Sequence, residues 1–407
     1  MSKNDSCLSK NAPQGPSASG LARVIPQRSG GTINKNDSCP GQGARRPISS
    51  GGDLARVIHL IGGCCVTLSL GCGEAASPHA SASVTTSVTT VPSASQSPSA
   101  SATPTASGSA VPVNPPPADE AQKKRLVEDV ATVSVERHPG SKGWEATKKL
   151  IVDRLTTLGY TPALETFDGG VNVLGERKGS TSAPRVILSA HFDHIRGCRG
   201  ADDNATGVAV VLEAARQLRD VVSPRTLTFA FWDREEEGLL GSMFHAREAK
   251  KRGDEILVAF SLDSVGFASS APNSQKLPGV LEAMLPEVFA RAKANEFRAD
   301  FIVALGDSDA GPSLTEFEAF GTTIKQPAFG VPLPGLARLA LADAARSDHA
   351  SFWLNGYSGV MVTDTANFRN PRYHCGSGPD DPNTLDYDFL NRVASVVIAT
   401  TRAAAFR

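Results

Sequence analysis

Three apolar runs in the second half of this chain end in the same way, and that pattern most limits what it can fold into. RVILSA (185–190) runs into His191 and Asp193, RTLTFAFW (225–232) into Asp233, Glu235 and Glu236, and ILVAFSL (256–262) into Asp263. Short, continuously apolar runs read as strands buried on both faces. A fourth run, GVMVT, occupies 359–363. Stretches with helical apolar spacing lie before and between them, at 119–134, 143–159, 204–219, 239–251, 281–294 and 385–404. Alternation of buried strand and helix predicts an α/β fold: a single sandwich with a mostly parallel central sheet flanked by helices.

In open α/β sheets, sites form outside the carboxyl ends of the strands. Three strand ends therefore deliver histidine and carboxylates to one rim. GADDNATG (200–207) adds Asp202 and Asp203 at the start of a helix on that side. A lone acid after a strand is usually an N-cap or a solvated loop residue. Four acid-rich ends on one edge repel one another, and no Lys/Arg cluster stands beside them to relieve it. Metal cations are the simplest remedy. The chain has no G-x-S-x-G elbow, Walker loop or dinucleotide fingerprint.

The chain has 407 residues and a formal net charge of -1, without a basic patch of the kind that nucleic-acid binding needs. Residues 119–407 are expected to be the folded domain. Residues 73–118 are dominated by Ser, Thr, Ala and Pro, cannot bury enough surface to offset chain entropy, and read as a disordered linker. Residues 57–72 resemble a signal segment ending in a bacterial lipobox, LSLGC, with Cys72 as the residue that would carry lipid. That would make the protein extracytoplasmic, either anchored to the membrane through Cys72 alone or secreted. Residues 1–56 repeat KNDSC and LARVI once each and are an unassigned, disordered segment.

AHFDH, GADDNATG, WDREEEGLLGS, SLDSVG, SDHASF and YHC occur here in the order seen in co-catalytic dizinc aminopeptidases. The chain resembles that family, which includes glutamate carboxypeptidase and, more distantly, the glutaminyl cyclases. The resemblance runs from about Ala121 to the C-terminus. It implies two Zn2+ ions, with His191 and Asp263 on one, Glu236 and His374 on the other, and Asp203 bridging. Asp202 is then a neighbour, and His349 of SDH is passed over because the family's last histidine follows an aromatic residue. Three carboxylates against four positive charges leave room for a bridging hydroxide, which zinc makes available near neutral pH. Glu235 is expected to be the general base, Tyr373 to stabilise the oxyanion, and Asp193 to orient His191. Asp348 would serve the other side in the same way, and Glu237 is expected at the surface. If those ligands hold adjacent ions, Cys198 and Cys375 should lie within disulfide reach.

The expected activity is removal of N-terminal residues from peptide substrates. The alternatives are a one-zinc glutaminyl cyclase-like transferase, a carboxypeptidase or dipeptidase of the same family, and a metal-free binding module. The sequence departs from the family after His374, where CGSGPDDPNTLDYD carries extra residues before Asp380 and Asp381.

Overall fold

A computed structural model describes residues 114–335, 338 and 341–407. The 1–56 segment, the lipobox-like segment with Cys72, and the linker up to residue 113 lie outside the described residues. The first helix, α1 (Glu120–Val133), begins where the Asp119 carboxylate accepts the Gln122 backbone N–H at 2.7 Å, an N-cap that closes one open donor of the first turn. It buries Leu126, Val130 and Val133. The second helix, α2 (Lys142–Thr157), is capped by Ser141 in the same way.

The sheet has eight strands: β1 (Ala163–Phe167), β2 (Gly170–Arg177), β3 (Arg185–His191), β4 (Leu227–Trp232), β5 (Ile256–Leu262), β6 (Ile302–Gly306), β7 (Ala328–Pro332) and β8 (Gly359–Thr363). Their order is β1-β2-β4-β3-β5-β8-β6-β7. The centre, β4-β3-β5-β8, is parallel, as is β6-β7, while β1-β2, β2-β4 and β6-β8 are antiparallel. The four strands expected from the sequence are the four of that parallel centre.

The other four strands escape pattern reading for physical reasons. β1 and β2 form an edge hairpin in which β1 alternates between half-buried and exposed positions. Their turn, Asp168-Gly169, places Gly169 at φ +71, the left-handed geometry that tight hairpins need. β6 and β7 are five residues each; β6 ends at Gly306, and β7 is interrupted by Gly330 and ends at Pro332.

Helices α3 (Gly207–Leu218) and α4 (Leu240–Arg252) follow β3 and β4. The helix expected over 281–294 is instead two, α5 (Val280–Met284) and α6 (Pro286–Ala294), because Pro286 cannot continue a preceding helix but suits the first turn of a new one. Next comes α7 (Gly311–Thr323), and two further helices cover His349–Leu354 and Tyr387–Phe406. Val186, Leu188, Phe229, Phe231, Val258 and Phe260 from the central strands pack with Val393, Val396 and Val397 of the last helix in one core. That burial pins the carboxyl ends of β3, β4, β5 and β8 side by side.

Candidate metal centre

His191 is the last residue of β3, Glu235 and Glu236 lie on the turn after β4, and Asp263 follows β5. Asp203 sits in the irregular turn 201–206 ahead of α3, where its own φ/ψ (-105, 92) leaves the helical region. His374 lies in a turn beyond β8 at φ 51, and Arg234 and Ser264 beside the other acids also have positive φ. Non-glycine residues in this region cost of order 1 kcal/mol each and collect where a site demands abrupt turns.

All five residues expected to bind metal converge. The two oxygens of Asp203 face different imidazoles: His191 Nε2 stands 3.3 Å from Oδ1, and His374 Nε2 stands 3.1 Å from Oδ2. His374 Nε2 is also 3.2 Å from Glu236 Oε2. His191, Glu235 and Asp263 present donor atoms within 4.8 Å of one another. The Nε2 atoms of His191 and His374 are buried and make no hydrogen bond of acceptable geometry. Ligand atoms around a tetrahedral zinc, at about 2.0–2.1 Å from the ion, stand about 3.3–3.4 Å apart, so the spacing and the His/carboxylate donor set fit zinc.

The electrostatics agree. Burial acts to raise the Asp203 carboxyl, but the flanking imidazoles outweigh it and hold it well below the usual range. Burial acts to lower His374, and Asp203 with Glu236 outweigh that to bring it up to about 10. Burial also pushes Glu235 well above the ordinary carboxylate range; His191 opposes that rise, while Asp263 and Asp348 add to it. Cations at the cluster would reverse that pressure on Glu235.

Several neighbours take definite parts. Asp202 is fully engaged elsewhere: its Oδ1 accepts the Gly266 N–H and its Oδ2 accepts from Asn370 Nδ2, both at 2.9 Å. His349 points away, hydrogen-bonded through Nε2 to the Ala344 carbonyl at 2.8 Å, and burial lowers it to about 4. Asp233 accepts from the Trp144 indole and the Val171 N–H, so it serves the fold. Glu237 is exposed beside Arg234. Asp348 is buried with both oxygens unpartnered and is raised to about 7 by burial.

Asp193 differs from expectation. Its carboxylate lies 3.7 Å from His191 Nδ1, too far for a hydrogen bond, and instead accepts the backbone N–H groups of Glu235 (3.0 Å) and Glu236 (3.3 Å). It therefore fixes the turn carrying both glutamates. Tyr373 stacks on the His374 ring with centroids 4.0 Å apart, and its hydroxyl accepts from Arg346 Nη2 at 2.8 Å. Burial and the charges of Asp203 and Asp263 raise its ionisation, so the phenol keeps its proton and can donate it.

One residue was given no role in advance. His194 is buried, its Nδ1 lies 2.7 Å from Glu236 Oε1, and its ring meets that of His374 edge-on at 5.7 Å. With Oε1 held there, Oε2 of Glu236 is left for a metal. The only signal was its place in AHFDH, three residues past His191.

Cys198 and Cys375 are joined in a disulfide, their Cα atoms 5.9 Å apart. Beside the cluster, Asp263, Tyr373 and Arg346 line a mainly apolar cavity of about 340 Å³, together with Leu281, Phe301 and Met361 among others.

Residues 172–327 match the model of Peptidase family M28. That stretch is a domain of this family. The family match runs from within β2 to the segment before β7, with His191, Asp203, Glu235, Glu236 and Asp263 inside it and His374 outside. YfbL of Escherichia coli is 27% identical over 235 residues, covering 54% of this chain and 67% of that protein. The probable lipoprotein aminopeptidase LpqL of Mycobacterium tuberculosis is 41% identical over 90 residues, or 21% of this chain and 17% of LpqL. The matched stretch thus spans two thirds of YfbL but a sixth of LpqL. The aminopeptidase of Aneurinibacillus sp. strain AM-1 shares the fold at a TM-score of 0.51 and 15% identity, covering 70% of this chain and 94% of that one. Family and donor set together make this a zinc metallopeptidase domain.

Proposed function

We propose that the protein is an exopeptidase that removes N-terminal residues from peptides at a two-zinc centre. The observation that carries this is Asp203, whose two carboxylate oxygens face His191 on one side and His374 with Glu236 on the other. A single ion would need only one of those faces. His191 and Asp263 would hold one zinc and Glu236 and His374 the other, with Asp203 between them. Zinc supplies there an acidified water and an electrophile for the scissile carbonyl.

The chain's own residues do the rest. Glu235 is buried in the cluster, and its neighbour Glu236 is taken up by His194 and the His374 side. It is placed to take a proton from the attacking water and pass it to the leaving amine. The Tyr373 hydroxyl, held by Arg346, donates to the oxygen that gains charge. The apolar cavity next to Asp263 would receive a large apolar side chain of the substrate.

Zinc counting after exhaustive dialysis tests the reading together with digestion of a peptide in free and N-acetylated forms. Two zinc ions per chain and cleavage of the free form alone are expected. One zinc with cyclisation of N-terminal glutamine would establish the transferase alternative, and release of C-terminal residues the carboxypeptidase one. Asp203→Ala should lose both ions together; loss of one alone would remove Asp203 from the bridge.

We also place the protein outside the cytoplasm, anchored through Cys72. The Cys198–Cys375 disulfide suits an oxidising compartment, and LpqL is a probable lipoprotein by name. Cys72→Ser should move the chain from the membrane to the soluble fraction, and an unchanged distribution would exclude that anchor.

A further inference from the structure

We propose that Arg137 is a positioning residue of the metal centre, whose guanidinium fixes the loops carrying His191 and Asp203 against each other before zinc arrives. The inference rests on the metal reading of the preceding section. Arg137 lies in the loop between α1 and α2, outside the stretch that matches the family model. It is fully buried.

Its hydrogen bonds define its part. Nε donates to the carbonyl of Phe192, the residue after His191, at 2.9 Å. Nη2 donates to the carbonyls of Gly200 (2.8 Å) and of Asp203 itself (3.1 Å). Nη1 is shared among the carbonyls of Val133, Val135 and Arg199. The Arg137 carbonyl in turn accepts the His194 N–H at 3.3 Å. One planar group thus ties α1 to the β3 end and to the turn that carries Asp203, with every N–H directed at a backbone oxygen.

This use of a buried cation is unusual. A desolvated charge is costly unless it is paired, and none of the partners of Arg137 is a carboxylate. Its charge is balanced at longer range by Asp203, Asp193, Asp380 and Glu236, acids gathered around the same cluster. Those acids repel one another when no metal is bound, and an internal cation offsets that repulsion while its N–H groups hold the loop in place. From the opposite side, Asp380 Oδ2 accepts the N–H groups of Asp202 and Asp203 at 3.0 and 3.2 Å. The turn is gripped by its carbonyls and by its amides. Gly200 leaves room for this, because a side chain there would collide with the Asp203 carbonyl and the His194 ring.

Lysine cannot substitute, since an ammonium group is a point donor and does not span two loops as the guanidinium fork does. Zinc affinity of the full chain, stripped with a chelator and reloaded with zinc alone, is the deciding measurement. Arg137→Lys should weaken zinc binding at least ten-fold and shrink the rise in melting temperature that zinc gives. Leu155→Ala, a cavity in α2 remote from the loops, should lower the melting temperature yet leave zinc affinity unchanged. An Arg137→Lys protein that binds zinc as tightly as the wild type, whatever its melting temperature, would overturn the inference. Wild-type chain that takes up no zinc would instead sink the metal reading. Hydrogen exchange on the stripped wild type covers the case in which Arg137→Lys does not fold. Amides of 192–204 should already be protected without zinc, and protection that appears only on loading would refute prior positioning.

Discussion

The two halves of the proposed metal centre are built differently. His191 and Asp263 sit at the ends of adjacent parallel strands, are almost fully buried, and inherit their positions from the sheet register. His374 lies in a left-handed turn outside the sheet, with its side chain 35% exposed, and is tied down by Tyr373 stacking and by the disulfide at its neighbour Cys375. Strand ends are fixed by the same burial that folds the core. A loop has no such support and needs local fastenings. Apart from the Arg137 clamp beside His191 and Asp203, the sheet-borne half should therefore lose less when a neighbour is removed than the loop-borne half does.

The largest effect expected leaves both halves intact. Glu235→Gln removes the proton carrier but no ligand, so zinc content should stay at the wild-type level while kcat falls by about 10²–10⁴. Steady-state kinetics with zinc analysis of the same sample checks this, and a variant that turns over normally would mean that Glu235 is not the base. If zinc were lost as well, Glu235 would belong to the ligand set, as its place beside His191 and Asp263 would allow.

Next in size is the contrast within the loop-borne half. His374→Ala should lose one zinc, while His194→Ala should keep both with weaker hold on the Glu236 side, by about 10–100-fold as for other groups that orient a ligand. His194, Asp203 and Glu236 also present atoms within 4.8 Å of one another. If His194→Ala lost a whole ion and His374→Ala none, the roles of the two histidines would have to be exchanged.

The disulfide gives a third contrast. It closes a loop of 177 residues, worth up to about 4–5 kcal/mol in the chain-entropy model, though strain commonly reduces this. A Cys198→Ser, Cys375→Ser protein should melt lower and release the zinc of the Glu236–His374 half before the other under a chelator titration. Equal release from both halves would show that the disulfide supports the fold without favouring one ion.

The smallest effect is a pH dependence of loading. Without metal, His374 is raised to about 10 and His191 is also raised, in each case by the surrounding carboxylates against burial, so both are charged at pH 7. A zinc ligand must be neutral imidazole, so loading at pH 7 should release protons and apparent affinity should fall as pH falls. Calorimetry in buffers of different ionisation enthalpy measures that release. A binding heat independent of the buffer would contradict it.

Sequence alone reached the parallel centre of the sheet and the ligand-bearing rim, because both are written in short range. Continuous apolar runs mark strands buried on two faces, and the residues that follow such runs must lie at their carboxyl ends. The ligand set implied by the family resemblance also led to the expectation that Cys198 and Cys375 lie within disulfide reach, and the two are bonded. What the sequence missed depends on partners far along the chain. Of the flanking strands, β1 is largely exposed and β6 and β7 have five residues each, so all three gain their regularity from neighbours. Asp193 was expected to hold His191, but its two oxygens reach backbone N–H groups 42 and 43 residues away. His194 is marked only by its place in AHFDH, and Arg137 carries no local mark. A histidine becomes a partner of Glu236, and an arginine a clamp on two loops, only when packing removes water and leaves each polar atom with the single partner the fold brings within reach.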